Sequence, residues 1–116
     1  MTSDKTQKSR ACVWHNTGVE ASQIVSGQLT PLTIDSDDLI LTRLKDGSIV
    51  CFLDQCGHQP VRLSEFGEIR DDVVMCHAHG ACFNMAGSGA AMNFPARHGL
   101  VSWKAEVQDG VVVVSK

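Results

Sequence analysis

The sequence predicts an all-β fold, and three observations carry that expectation. Short apolar runs alternate with turn signals along most of the chain. Two dipeptides, Asp46-Gly47 and Asp109-Gly110, sit between apolar runs and suit tight hairpins, whose central residues need positive φ. No window shows a convincing helical period.

The elements follow in order. Residues 1–10 are polar, carry both signs of charge and read as a loose tail. Residues 11–116 then form the domain. Within Asp38 to Leu44, the run Leu39-Ile40-Leu41 reads as a strand. Ser48 to Leu53 reads as its hairpin partner across Asp46-Gly47, with Cys51 packed in its core face. Near the end, Val101, Trp103, Ala105 and Val107 alternate with Ser102, Lys104 and Glu106. That is period two, a strand with one buried face. Val111 to Val114 closes the hairpin at Asp109-Gly110.

The middle of the chain, about residues 54–98, is different. It is dense in Gly, His and Cys, and its apolar runs are very short. Glu68-Ile69-Arg70 and Val73-Val74-Met75, joined by Asp71-Asp72, suit a small hairpin, and Ala81-Cys82-Phe83 another short strand. The segment reads as a small lobe inserted between the outer hairpins.

Composition narrows the function. The chain has 116 residues, one ordinary domain, with 43% hydrophobic and 20% charged residues. A net charge of −3 argues against a nucleic-acid binder, which needs a basic face. No apolar run reaches the ~18–20 residues that cross a bilayer, and no secretory signal precedes the domain. The expected setting is cytoplasmic, with no membrane partner. Five cysteines, unevenly spread, read in a reducing compartment as metal ligands or core residues.

Two short motifs carry the chemistry. One is Cys56-Gly57-His58; the other is Cys76-His77-Ala78-His79, followed by Gly80. Each offers one thiolate and one imidazole, and seventeen residues separate His58 from Cys76. Cys-X-His sets its two ligands too close for comfortable chelation of one tetrahedral ion. The spacing suits two metal atoms bridged by sulfide, one iron on Cys56 and Cys76, the other on His58 and His79. A Cys₂His₂ zinc site uses the same atoms. Zinc sites more often leave two to four residues between paired ligands, which disfavours that reading.

With these residues the sequence resembles the Rieske [2Fe–2S] proteins, over roughly residues 35 to 114. The resemblance implies an antiparallel β-sandwich with a small rubredoxin-like, cluster-binding lobe. It also implies one [2Fe–2S] cluster on Cys56, His58, Cys76 and His79, with the Pro95 segment covering it from a third side. Two imidazoles in place of two thiolates set such clusters at roughly −150 to +300 mV.

Departures from the family refine this. Respiratory-chain members carry an extra cysteine in each cluster loop, and these form a disulfide; Val61 and Ala78 stand there. High-potential members place a serine and a tyrosine after the second loop, whose hydroxyls donate to the cluster and to a ligating sulfur. Ala81 and Phe83 stand in those places, so a potential at the low end is expected. Oxygenase α subunits add a mononuclear iron domain, for which this chain shows no residues. The expectation is a soluble, monomeric ferredoxin, not itself an enzyme, that takes electrons from an NAD(P)H-dependent flavoprotein reductase. It would pass them singly to a terminal Rieske oxygenase. A Rieske-like small subunit of a larger oxidoreductase and a zinc-stabilised binding module are the alternatives.

Among the remaining residues, Cys82 reads as structural, Cys12 as a thiol with no partner in sequence, and His77 as a surface residue beside the ligands. Asp54, Glu65, Glu68, Asp71 and Asp72 flank the cluster loops. They read as a solvated face, with an acidic docking rim as the functional alternative.

Overall fold

The computed structural model describes residues 13–56, 61–78, 80–92 and 99–116. The strands in chain order are β1 (His15–Glu20), β2 (Thr30–Ile34), β3 (Asp37–Arg43) and β4 (Ile49–Leu53). A one-turn helix, α1 (Leu63–Phe66), leads into β5 (Gly67–Arg70), β6 (Val73–Cys76), β7 (Ala81–Asn84) and β8 (Ala90–Ala91). The chain closes with β9 (Ser102–Gln108) and β10 (Val111–Ser115). Single 3-10 turns lie at Ala21–Gln23 and Met85–Gly87.

All pairings are antiparallel and make two sheets. The larger has the order β1-β10-β9-β4-β3-β2, and the smaller β5-β6-β7-β8. Strand β9 turns the larger sheet over on itself. Its Ser102 and Trp103 pair with Phe52 and Cys51 of β4, while Lys104 to Gln108 pair with β10. The core enclosed between these layers holds Ile24, Leu39, Leu41, Cys51, Trp103, Val112 and Val114. This is the expected sandwich, and the smaller sheet is the expected lobe.

Strands β3 and β4 form a shared wall. Side chains alternate across a strand. Leu39, Leu41 and Cys51 enter the sandwich core, whereas Ile40 and Phe52 face the lobe. Both faces are covered, which is why Leu39-Ile40-Leu41 reads as a continuous apolar run. The second core joins Ile40, Leu44 and Phe52 to the lobe residues Leu63, Ile69, Val74, Phe83 and Met85. Cys56 and Cys76 belong to this second core.

The turns are partly as expected. Asp109 and Gly110 both have positive φ (54° and 80°), the two-residue hairpin that the pair signals. Asp71 and Asp72 make the same shape at 53° and 65° without a glycine, joining Arg70 to Val73. Aspartate enters this region more readily than most residues. Asp72 Oδ1 accepts from Lys45 N at 3.0 Å, and its carbonyl from Met85 N at 2.9 Å. The Asp46-Gly47 turn differs from expectation, because only Gly47 has positive φ, at 94°. Gly47 N donates to Leu44 O at 2.9 Å, and Leu44 N to Ser48 O at 2.8 Å, which closes a three-residue loop. Ser48 donates from both Oγ and N to Asp46 Oδ1, at 2.6 and 2.9 Å. Those bonds hold the Asp46 carboxyl below its ordinary range.

The period-two reading of β9 holds at its centre, where Trp103 is buried and Ala105 half-buried. It fails at both ends: Val101 and Val107 are 56% and 49% exposed. The tail expected at residues 1–10, and Cys12, lie outside the described residues.

Candidate metal centre

The first loop grows out of the end of β4. Asp54 N donates to Asp38 O at 2.8 Å, so the chain leaves the sheet still tied to β3. Cys56 follows, 3% exposed, and its N–H donates to Val61 O at 2.9 Å across the base of the loop. The Asp54 side chain points inward and is fully buried. Its Oδ1 accepts from Ser64 N at 2.8 Å, and its Oδ2 from Ser64 Oγ at 2.5 Å. Arg62 Nε lies 3.4 Å from Oδ2, and the same guanidinium reaches Asp38 Oδ1 at 3.4 Å. Asp54 therefore belongs neither to a solvated face nor to a docking rim. It is the charged residue that the fold buries among the described residues. A carboxylate tolerates burial only when its oxygens are hydrogen-bonded, as these are.

The second loop leaves the end of β6. Cys76 is 1% exposed and lies opposite Ala81 of β7. Gly80 N donates to Cys76 O at 2.8 Å, closing a tight turn, and Gly80 has φ of 76°, which a glycine adopts without strain. His77 points outward, as expected of a surface residue, and its Nε2 lies 2.9 Å from Glu68 Oε1. The bond with His77, helped by Arg70, holds the Glu68 carboxyl below its ordinary range.

Helix α1 spans the two loops. Its first turn is held by Asp54 through Ser64, Leu63 is buried in the second core, and Phe66 O accepts from His77 N at 2.7 Å. Gly67 ends the turn at close quarters. A Cβ there would stand 2.6 Å from Leu63 O, 3.2 Å from Val74 Cγ2 and 3.3 Å from Leu29 Cδ1. Backbone cannot yield as a side chain can. Gly67→Ala is expected to cost about 1–3 kcal/mol, the range of overpacked cores. A guanidinium chloride midpoint equal to that of the unmutated protein would contradict this.

The structure thus brings Cys56 and Cys76 together in one apolar cluster, from two separate loops. His58, His79 and Pro95 lie outside the described residues. The donor chemistry fits an iron–sulfur group. Two thiols from different loops, both shielded from water, are the soft ligands such clusters take. The four described cysteines form no disulfide with one another. Cys51 stands apart in the sandwich core, where burial pushes its thiol up to about 12. Cys82 is half-buried and donates to Gly80 O at 3.6 Å, consistent with a structural place.

A family model for the Rieske [2Fe–2S] domain matches residues 13–104. The chain belongs to this family. Members bind a [2Fe–2S] cluster, and the fold here is the Rieske fold. The alpha subunit of chlorobenzene dioxygenase from Cupriavidus sp. (strain PS12) is 30% identical over 83 residues. That is 72% of this chain and 18% of the subunit, so the chain spans under a fifth of that relative. A solved complex of reduced oxygenase and oxidized ferredoxin in carbazole 1,9a-dioxygenase aligns with a TM-score of 0.78 and 28% identity. The alignment covers 89% of this chain and 93% of that one. The Sphingomonas yanoikuyae B1 ferredoxin aligns with a TM-score of 0.79 at 20% identity, covering 90% and 99% of the two chains. At that identity the likeness concerns the fold. Among the described residues, no helix of this Rieske chain is long and apolar enough to cross a membrane.

Ala81 and Phe83 lie in β7, just after the second loop. Both are fully buried, and Ala81 faces Cys76 across the β6–β7 ladder. Neither side chain can donate a hydrogen bond toward the thiolate loop.

Proposed function

We propose that the chain is a Rieske ferredoxin that holds one [2Fe–2S] cluster on Cys56, His58, Cys76 and His79 and carries single electrons. The donor is a flavoprotein reductase using NAD(P)H, and the acceptor a terminal oxygenase. The observation that carries the reading is the pair of buried thiols, Cys56 and Cys76, delivered by two loops into one core of a Rieske domain. The carbazole dioxygenase likeness supports the oxygenase side, since it spans 93% of a chain from an oxygenase–ferredoxin complex. A bound cluster supplies a reversible one-electron change. The protein's own part is to bury the cysteine sulfurs, exclude water and keep both loops in register.

The anaerobically purified protein is expected to be red-brown, with iron and acid-labile sulfide in equal amounts. It should accept electrons from NADH through a flavoprotein reductase. A colourless protein with stoichiometric zinc would overturn the reading. The likeness to the dioxygenase alpha subunit favours a second reading, a Rieske portion of a larger oxidoreductase. Stable co-purification with a large subunit would select it.

The missing hydroxyls make a separate prediction. Ala81→Ser places a donor opposite Cys76, where it stabilises added electron density. A differential of ~1.4 kcal/mol corresponds to about 60 mV for one electron. Protein-film voltammetry should therefore show the potential rising by that order. An unchanged or lower value would mean that the hydroxyl cannot reach the sulfur.

A further inference from the structure

We infer that Asp54 is a positioning residue, whose buried carboxylate fixes α1 and, through it, both loops that carry Cys56 and Cys76. The inference rests on the reading that these loops hold the cluster.

The contacts form one connected path. Asp54 stands two residues before Cys56 and reaches forward to Ser64, whose N–H and O–H engage separate carboxylate oxygens. That pairing closes the chain around Cys56, outside the Cys56 N to Val61 O rung. Ser64 belongs to α1, and the last residue of α1, Phe66, accepts from His77 N beside Cys76. A shift of the Ser64 end is therefore delivered to both thiolate loops. The Arg62 and Asp38 contacts fix the same carboxylate to the β3 side of the sheet.

Chemistry favours a positioning role over general stability. The bonds of the carboxylate go to the loop and to α1, whereas α1 is held to the core by Leu63. Removing the Ser64 hydroxyl leaves Oδ2 with the longer 3.4 Å contact to Arg62 Nε, while the apolar anchor stays. The buried charge then draws Arg62, water or the loop toward itself, because a buried carboxylate that loses a close donor is costly. The place where that relaxation occurs is the loop of Cys56.

The test uses the full chain with its cluster, as Ser64→Ala, Ser64→Thr and Asp54→Asn variants. The readouts are iron release to a chelator under native conditions and the electron paramagnetic resonance g values of the dithionite-reduced protein. Circular dichroism checks the fold. Ser64→Ala is expected to fold, release iron about tenfold faster and shift or broaden the g values, the scale of losses seen around metal ligands. Ser64→Thr, which keeps the hydroxyl, should restore both. Ser64→Ala and Asp54→Asn proteins with the unmutated release rate and spectrum would overturn the inference, even if their denaturation midpoints fall. A Ser64→Ala chain that cannot fold at all overturns it too, since the contact would then serve the whole fold. Unmutated protein without a [2Fe–2S] spectrum overturns the cluster reading first, and so separates the two failures.

Discussion

Cys76→Ala is expected to abolish binding of the proposed cluster while leaving the β-sandwich folded. The variant should lose the visible absorption and retain less than about a tenth of the iron, because a bridged cluster cannot keep its geometry with one thiolate gone. Cys76 stands at the end of β6, is 1% exposed and lies opposite Ala81 of β7. The sandwich core contains neither Cys56 nor Cys76, and far-ultraviolet circular dichroism should therefore keep its β signature. Stability should fall nonetheless, since a group bound only by the native state stabilises that state. Cys51→Ala is the control. Its thiol is buried in the other core and pushed up to about 12, so it offers little thiolate at neutral pH. It should keep full iron content. A Cys76→Ala protein that retains iron and sulfide, or a Cys51→Ala protein that loses them, would reassign the ligands.

The sequence made much of this legible, for local reasons. Leu39-Ile40-Leu41 announces itself because both faces of β3 are buried. Asp109-Gly110 announces its hairpin because the turn uses nothing beyond its own two residues. Strand β1 gives no such signal. It carries Asn16, Thr17 and Gly18, its register slips between Asn16 and Glu20, and Thr17 spends its hydroxyl on Val112 O at 2.7 Å. Strand β2 contains Pro31, which a strand tolerates here because β2 is the last in its sheet. Helix α1 is a single turn, too short for any period to register. At the site, the two Cys/His motifs were plain in the spacing, but the place of Asp54 was not. In sequence it resembles its acidic neighbours Glu65 and Glu68, and only tertiary contact with Ser64 ten residues on makes it a buried clamp. The nearest sequence signal is an acid two residues before the proposed ligand Cys56 and a serine at the start of a short apolar run.

Phe52→Ala is the second large effect expected, and it tests whether the lobe depends on the sandwich. Phe52 is 2% exposed on the lobe face of β4, where it joins the second core with Ile40 and Leu44. Its ring lies against the backbone of Gly89. A Cβ on Gly89 would stand 2.8 Å from Phe52 Cε1 and 2.8 Å from Leu100 Cβ. Leu100 N donates in turn to Gly89 O at 2.8 Å. The ring thus supports both the end of the lobe sheet and the strand that returns to the sandwich. Truncating a buried phenylalanine costs ~3–5 kcal/mol, since lost transfer energy and an uncollapsed cavity add. For a domain of this size that is a fall of roughly 10–20 °C in melting temperature. The void would open beneath the core that also holds Cys56 and Cys76, so iron release should accelerate alongside the loss of stability. Phe52→Leu, which fills part of the space, should fall between the two. A Phe52→Ala protein that melts within a few degrees of the unmutated chain would show that the lobe stands on its own core. A large fall with unchanged iron release would show that the thiolate loops are held by their backbone bonds alone, from Cys56 N to Val61 O and from Gly80 N to Cys76 O.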